Sequence, residues 1–159
     1  MSLRFGIIII TLTCLEMLGC NVGQSRSATV FERGQPAPSQ YFTGSVWLEM
    51  LHTNTDPALD AQVYNVTFEA RARTHWHSHP GGQILMITSG LCYYQEQGSP
   101  GRILKPGEVV AVAPNVLHWH GASPKGQMTH LGISTQVHLG SVQWKGPVIN
   151  EYYNAVGQH

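Results

Sequence analysis

From residue 41 onward the sequence is a series of short segments of alternating apolar and polar residues, separated by turns rich in glycine and proline. In residues 62–68, for example, Tyr64, Val66 and Phe68 fall on one face of an extended chain. No segment keeps the 3.6-residue periodicity of a helix for more than two turns. Short strands at close spacing, with turns between them, predict an all-β sandwich or barrel.

The composition indicates a folded domain without an electrostatic preference for nucleic acid. The chain has 159 residues, enough for one domain, and its nine basic and nine acidic side chains cancel. A chain with no net charge has no basic surface to offer to nucleic acid or to an anionic membrane. Hydrophobic residues make up 42% of the sequence and 17 residues are glycine, which favours a packed, turn-rich core over disorder.

The first 20 residues predict an export signal. Arg4 precedes an apolar run over residues 5–15, which is shorter than the roughly 20 residues that a membrane span needs. Residues 17–20, Met-Leu-Gly-Cys, resemble a bacterial lipobox, in which the cysteine is lipidated after cleavage. We therefore expect an exported protein, periplasmic or on the outer surface, that contacts a membrane only through a lipid anchor on Cys20. Plain secretion, with cleavage a few residues later, is the alternative.

Residues 21–40 are rich in Ser, Gly, Gln and Pro and have little periodicity, which predicts a flexible tether. The folded domain is then expected to comprise residues 41–159. Cys14 and Cys20 belong to the leader, so Cys92 is the cysteine that remains in the domain. An intrachain disulfide is therefore not available, and the fold must close by packing alone.

The histidines are the strongest indication of chemistry. The chain has nine, and five of them lie in two short segments: His75, His77 and His79 in one, His118 and His120 in the other. Side chains at alternate positions of a strand point the same way, so the imidazoles of each segment should share a face. Clustered imidazoles are costly unless something holds them, so we interpret both segments as metal ligands rather than as surface or hydrogen-bonded core histidines.

Four groups can converge on one ion: His77, His79, Gln83 and His118. Three neutral imidazoles and an amide oxygen form a nitrogen–oxygen ligand set without thiolate, which suits manganese, iron, nickel or zinc. Because Gln83 is uncharged, the ion would keep its full 2+ charge. That favours Lewis-acid chemistry over the stabilisation of a higher oxidation state.

These segments resemble the two cupin motifs. At the spacings of the first motif, Gly-x5-His-x-His-x3,4-Glu-x6-Gly, the chain has Arg71, His77, His79, Gln83 and Gly90. The second motif, Gly-x5-Pro-x-Gly-x2-His-x3-Asn, lies over Gly107, Ala113, Asn115, His118 and Ala122. Asn115 is a mild departure, because Asn tolerates the left-handed conformation that glycine supplies. Arg71 is the larger departure and affects the geometry of its turn.

A closer likeness covers residues 41–154 and includes the segments 118–122 (His-Trp-His-Gly-Ala) and 128–131 (Met-Thr-His-Leu). It is to the small single-domain cupins, a group that includes the manganese-dependent bacterial hydroxynitrile lyases and relatives of carboxymuconolactone decarboxylase. The resemblance implies a cupin jelly-roll barrel (a double-stranded β-helix) of six to eight strands. It also implies manganese as the preferred ion on the four ligands, and His120 and His130 as two further pocket histidines.

The resemblance implies a lyase that makes or breaks a carbon–carbon bond next to a hydroxyl group of a small-molecule substrate. His120 and His130 are the candidate catalytic residues, because a base must take the hydroxyl proton and histidine titrates near working pH. Two alternatives stay open: another metal-dependent cupin enzyme, such as a dioxygenase or a lactone or sugar converter, and an exported binding protein without chemistry. We expect a homodimer or homotetramer.

Three further residues near the histidines have structural interpretations. Trp76 and Trp119 alternate with histidines and are expected to pack behind the site. Arg73 is expected either to orient an anionic substrate or to pair with Glu69 on the same strand face.

Overall fold

The structure is a computed structural model that describes residues 30–158. The predicted export signal with Cys20, and residues 21–29 of the predicted tether, lie outside the described residues. In the described range the chain forms thirteen strands: β1 (Gln35–Pro36), β2 (Phe42–Thr43), β3 (Val46–His52), β4 (Ala61–Phe68), β5 (Arg73–Thr74), β6 (His77–Ser78), β7 (Gln83–Ser89), β8 (Cys92–Glu96), β9 (Arg102–Leu104), β10 (Val109–Val112), β11 (His118–Ala122), β12 (Met128–Thr135) and β13 (Gln143–Trp144). Eight of these strands contain three residues or more.

The strands form two antiparallel sheets. The first has six strands in the order β1-β3-β4-β12-β7-β10. The second has the order β13-β6-β11-β5-β2, and β8 and β9 join it through the pairing of β8 with β11. Strand β12 pairs along its length with β4 on one side and with β7 on the other. Two packed antiparallel sheets of this kind confirm the predicted all-β jelly roll.

The main hydrophobic core lies between the two sheets. Phe68, Leu85 and Met128 from the first sheet and Cys92 and Tyr94 from the second are all buried in one cluster. Their positions follow the period-two alternation of each strand, which sends every second side chain inward. Full burial of an apolar side chain of this size contributes about 1.5–3 kcal/mol, so packing holds the sheets together, and Cys92 in the described range is a free thiol.

A second hydrophobic cluster lies under the C-terminal helix α1 (Asn150–Ala155), on the far side of the second sheet from the histidines. Trp119 is fully buried there against Tyr153, because it alternates along β11 with His118 and His120. Trp76 packs against the same cluster. The expectation that both tryptophans pack behind the site is confirmed. Helix α1 is short, and no helix within residues 30–158 is long and apolar enough to cross a membrane.

The folded domain starts earlier than the sequence predicts. Gln35 and Pro36 pair with Leu48 and Trp47 of β3, and the guanidinium group of Arg33 lies 3.3 Å from the centre of the Trp47 ring. Residues 35–40, assigned to the tether from their composition, therefore belong to the domain. A two-residue edge strand that contains proline has too few residues to show periodicity, and proline is tolerated at a sheet edge.

The glycine positions of the two cupin motifs all have left-handed backbone conformations. Gly90 has φ 72° and Gly107 has φ 90°, while Arg71 has φ 68° and Asn115 has φ 61°. The expectation that Asn115 replaces a left-handed glycine is therefore confirmed. Arg71 takes the same conformation despite its side chain, which costs about 1–3 kcal/mol for a residue other than glycine.

Candidate metal centre and active site

Three of the four predicted metal ligands come together at one end of the barrel. His77 on β6 pairs directly with His118 on β11, and His79 follows in the turn after β6. One ring nitrogen from each of the three lies within 4.8 Å of the others, and all three side chains are buried. Gln83, the first residue of β7 in the other sheet, brings its Oε1 atom to 3.0 Å from Nε2 of His118. The site therefore lies where the two sheets meet.

Each imidazole is oriented by a hydrogen bond from Nδ1 to a backbone carbonyl oxygen: His77 to His75 (3.0 Å), His79 to Ser141 (2.5 Å) and His118 to Val116 (2.9 Å). A carbonyl oxygen can only accept, so the ring proton must be on Nδ1 and the lone pair on Nε2. Fixing the outer nitrogen in this way is how proteins prepare histidine as a metal ligand.

Burial keeps these imidazoles neutral. Desolvation lowers the pKa of His79 and of His118 to about 4, and it lowers the pKa of His77 well below its usual value. A neutral ring has a single proton, which Nδ1 already uses. The lone pair on Nε2 of His118 therefore faces the lone pairs on Oε1 of Gln83. The buried Nε2 atom of His79 has no hydrogen-bond partner within residues 30–158.

An excess of buried acceptors over donors is unfavourable unless a cation lies between them. The lone-pair atoms of His77, His79, Gln83 and His118 thus fit a divalent cation as ligands. No thiolate is among them, as expected for an ion that prefers nitrogen and oxygen ligands.

The Gln83 amide is held by Tyr64, a cavity-lining residue that the sequence did not predict as part of the site. Nε2 of Gln83 donates to the hydroxyl oxygen of Tyr64 (2.7 Å), and that hydroxyl group is 2.9 Å from Oγ of Ser134. Burial raises the pKa of Tyr64, so its hydroxyl group stays protonated. Oγ of Ser134 is also 3.1 Å from Nδ1 of His79. The sequence feature that could have identified Tyr64 as a site residue is the strand alternation, which places it on the same inward face as Val66 and Phe68.

A cavity of about 140 Å³ opens beside the cluster. Its polar lining includes His77, His79, Gln83 and His120. The apolar lining comes from Phe42, Leu48, Met50, Val66, Phe68, Val142 and Trp144, and Gln62, Tyr64, Thr74 and Ser141 complete the walls. A small organic molecule with one polar group and one apolar group would match this division of the walls.

His120 and His130 occupy different layers. His120 lines the cavity, whereas His130 is fully buried behind it, and their ring centres are 4.7 Å apart. Burial, together with the neighbouring His130 and His77, lowers the pKa of His120 well below its usual value, and burial lowers that of His130 to about 4. Nδ1 of His120 and both ring nitrogens of His130 have no hydrogen-bond partner in the described part of the chain. Both rings are therefore neutral bases.

The expectation that His75 shares a face with the other histidines of its segment needs correction. His75 does not share the face of His77 and His79 and does not line the cavity, because β5 ends at Thr74 and the chain leaves the strand conformation before β6. Its backbone carbonyl, rather than its ring, serves the site by accepting from His77.

Arg73 neither lines the cavity nor pairs with Glu69, whose partner is Arg33. Its guanidinium group donates to the carbonyl oxygen of Val148 (3.0 Å) and to Oδ1 of Asn150 (2.9 Å), and it lies over the Tyr153 ring. Arg73 therefore anchors the C-terminal segment to the second sheet.

The fold and the histidine cluster together define a cupin. Residues 64–131 match the family model described as the cupin domain. The chain belongs to the cupin family, as a small single-domain member. It is 43% identical over 116 residues to the (R)-mandelonitrile lyase of Granulicella tundricola, a match that covers 73% of this chain and 88% of the relative.

Solved structures agree with this assignment. A cupin-like protein from Thermotoga maritima is 54% identical, with a TM-score of 0.80 over 83% of this chain and 100% of the other. The DMSP lyase DddQ from Ruegeria pomeroyi is 20% identical, with a TM-score of 0.56 over 69% of this chain and 54% of the other. At that identity the second likeness shows the shared fold alone.

Proposed function

We propose that this cupin is a metal-dependent lyase of the hydroxynitrile-lyase type, which cleaves or forms a carbon–carbon bond next to a hydroxyl group. The observation that carries the proposal is the position of His120, a neutral base in the wall of a mainly apolar cavity, directly beside the candidate ligands. The 43% identity to an (R)-mandelonitrile lyase supports the same reaction class.

His77, His79, Gln83 and His118 would hold one divalent ion, with manganese preferred and iron, nickel or zinc compatible with the same donors. When bound, such an ion supplies Lewis-acid polarisation and lowers the pKa of a hydroxyl group beside it. The backbone carbonyls that accept from the three Nδ1 atoms keep the imidazoles aimed at that position.

The apolar walls suit the organic part of a cyanohydrin. Phe42, Phe68 and Trp144 line the cavity and would surround an aryl or alkyl group, while the hydroxyl group lies toward the histidines. An environment with little water strengthens each electrostatic interaction in the site and protects the product aldehyde.

In cleavage, His120 accepts the proton of the substrate hydroxyl group. The oxygen–carbon bond becomes the carbonyl double bond, and the electron pair of the carbon–carbon bond leaves with cyanide. His120 then returns its proton to cyanide, so a cyanohydrin yields an aldehyde and hydrogen cyanide. His130 packs against His120, with 4.7 Å between the ring centres, and holds that ring in position for the proton transfer.

The test is cleavage of mandelonitrile by the metal-loaded protein, with dioxygen consumption followed in parallel. We expect benzaldehyde and cyanide in equal amounts, with no uptake of dioxygen. Oxygen uptake with a different product would favour a dioxygenase. Binding of the substrate without turnover would contradict the lyase and favour the binding protein.

We further propose that the protein is exported and carries a lipid on Cys20, and that it forms a homodimer or homotetramer. The export proposal is supported by the sequence of residues 1–20, and it predicts that the wild type fractionates with membranes while Cys20→Ser does not. Light scattering of the purified protein tests the oligomeric state.

A further inference from the structure

Tyr64 connects Gln83 to Ser134 across the first sheet. The hydroxyl oxygen of Tyr64 on β4 accepts a hydrogen bond from Nε2 of Gln83 (2.7 Å) and lies 2.9 Å from Oγ of Ser134 on β12. A phenol has one proton and can also accept. Tyr64 can therefore accept from the Gln83 amide and donate to Ser134 at the same time.

This connection determines which end of the amide faces the histidines. A glutamine side chain ends in an oxygen that accepts and a nitrogen that donates, and only the oxygen can bind a cation. With Nε2 held by Tyr64, Oε1 points to the imidazoles, 3.0 Å from Nε2 of His118. In the opposite orientation the amide would donate to the imidazole lone pairs, which would satisfy them and compete with the ion. Tyr64 would then have to turn its proton from Ser134 to Gln83.

The backbone is shaped to receive the Tyr64 ring. Gly132 stands opposite Tyr64 in the β4–β12 register, and a Cβ atom there would lie 2.2 Å from the ring carbon Cε2. Ser134 follows two positions later on the same face of β12, where it meets the Tyr64 hydroxyl group. The pattern Gly132-x-Ser134 thus supplies both the space for the ring and the partner for its hydroxyl group.

We propose that Tyr64 is a positioning residue for the metal centre: its hydroxyl group fixes the Gln83 amide with the carbonyl oxygen turned toward His118. This inference rests on the proposed metal centre. It does not require Tyr64 to touch the ion or the substrate.

The test is the affinity of the protein for Mn²⁺ alone, measured by competition with a chelator, in the wild type and in Tyr64→Phe. Phenylalanine keeps the ring over Gly132 and removes only the hydroxyl group. We expect the dissociation constant to rise by about 10- to 100-fold, the usual effect of losing a group that orients a metal ligand. The electron paramagnetic resonance spectrum of bound Mn²⁺ should change as well, because the amide oxygen is no longer fixed.

Tyr153→Phe is the matched control. Its hydroxyl group is buried and donates to the carbonyl oxygen of Ala122 (2.7 Å), outside the cavity. The dissociation constant for Mn²⁺ should stay within about twofold of the wild type, as is usual for a distant, independent site. Ser134→Ala removes the other partner of Tyr64 and also the contact of Oγ with Nδ1 of His79, so it should weaken Mn²⁺ binding as well.

A double mutant separates orientation of the amide from a general structural effect. In a Gln83→Ala background there is no amide to orient, so adding Tyr64→Phe should change the Mn²⁺ affinity by less than about twofold. An equally large loss in that background would overturn the inference. Equal affinities of the wild type and Tyr64→Phe would overturn it while leaving the metal centre intact. Absence of Mn²⁺ binding in the wild type would overturn both the inference and the proposed function.

Discussion

Oε1 of Gln83 and Nε2 of His118 lie 3.0 Å apart although the two residues belong to different sheets. Gln83 begins β7 of the first sheet, and His118 begins β11 of the second. Because the His118 imidazole is neutral, both atoms present lone pairs. A cation held between them would join the sheets at one end of the barrel. Metal binding and stability should therefore be linked.

Metal removal should lower the melting temperature of the wild type. A ligand present at 100 times its dissociation constant stabilises the folded state by about 2.7 kcal/mol, which corresponds to roughly 10 °C for a domain of this size. His118→Ala should lose most of this shift, because it removes a ligand from the second sheet. Thermal melts with and without Mn²⁺ measure it, and His138→Ala, at an exposed histidine paired with Asp60, should keep the full shift. A full shift in His118→Ala would remove His118 from the site.

His120→Ala should retain the metal and lose lyase turnover. A general base contributes about 10²- to 10⁴-fold to the rate, and His120 is the neutral base that lines the cavity. His130→Ala should lower turnover by a smaller factor, because His130 lies behind His120 and does not line the cavity. The measurement is mandelonitrile turnover at matched metal content. Undiminished turnover in both variants would disprove the assignment.

Acid should destabilise the metal-free protein through His130. Burial lowers its pKa to about 4, against 6.5 for an exposed histidine. Between these values the unfolded chain binds the proton more readily, so the free energy of unfolding falls as the pH falls from 6.5 to 4. Above pH 6.5 the contribution of His130 to the free energy of unfolding does not change with pH. Its loss on going from pH 6.5 to pH 4 amounts to about 3 kcal/mol. Urea unfolding at several pH values should show a shallower acid dependence in His130→Leu. Identical dependences would contradict the prediction.

The turn at Arg71 should tolerate glycine and reject a β-branched residue. Its φ of 68° lies in the left-handed region. Arg71→Gly relieves that strain but adds entropy to the unfolded chain, so the net change should stay within about 1 kcal/mol. Arg71→Val should cost about 1–3 kcal/mol. Urea midpoints at constant slope measure both, and a Val variant as stable as the Gly variant would show that the turn adapts.

The sequence predicted those features that depend on the two-residue period of a strand. Alternation gave the all-β fold, the inward face that carries Tyr64 and Phe68, and the opposite placements of Trp119 and its neighbouring histidines. It was wrong for His75 because the strand is interrupted at residues 75 and 76, where the alternation rule no longer applies.

Features that depend on long-range register could not be predicted. Arg73 meets Val148 and Asn150, and Tyr64 meets Gln83 and Ser134, only because strands distant in sequence pair in a particular register. That register follows from the packing of the whole barrel rather than from any local pattern.

The most direct test of the proposed metal centre is the divalent metal content of the purified protein, measured by elemental analysis in the wild type and in His77→Ala and His118→Ala. We expect close to one ion per chain in the wild type, with manganese the preferred element, and a small fraction of that in either variant. A wild type that contains no more metal than His118→Ala would contradict this expectation.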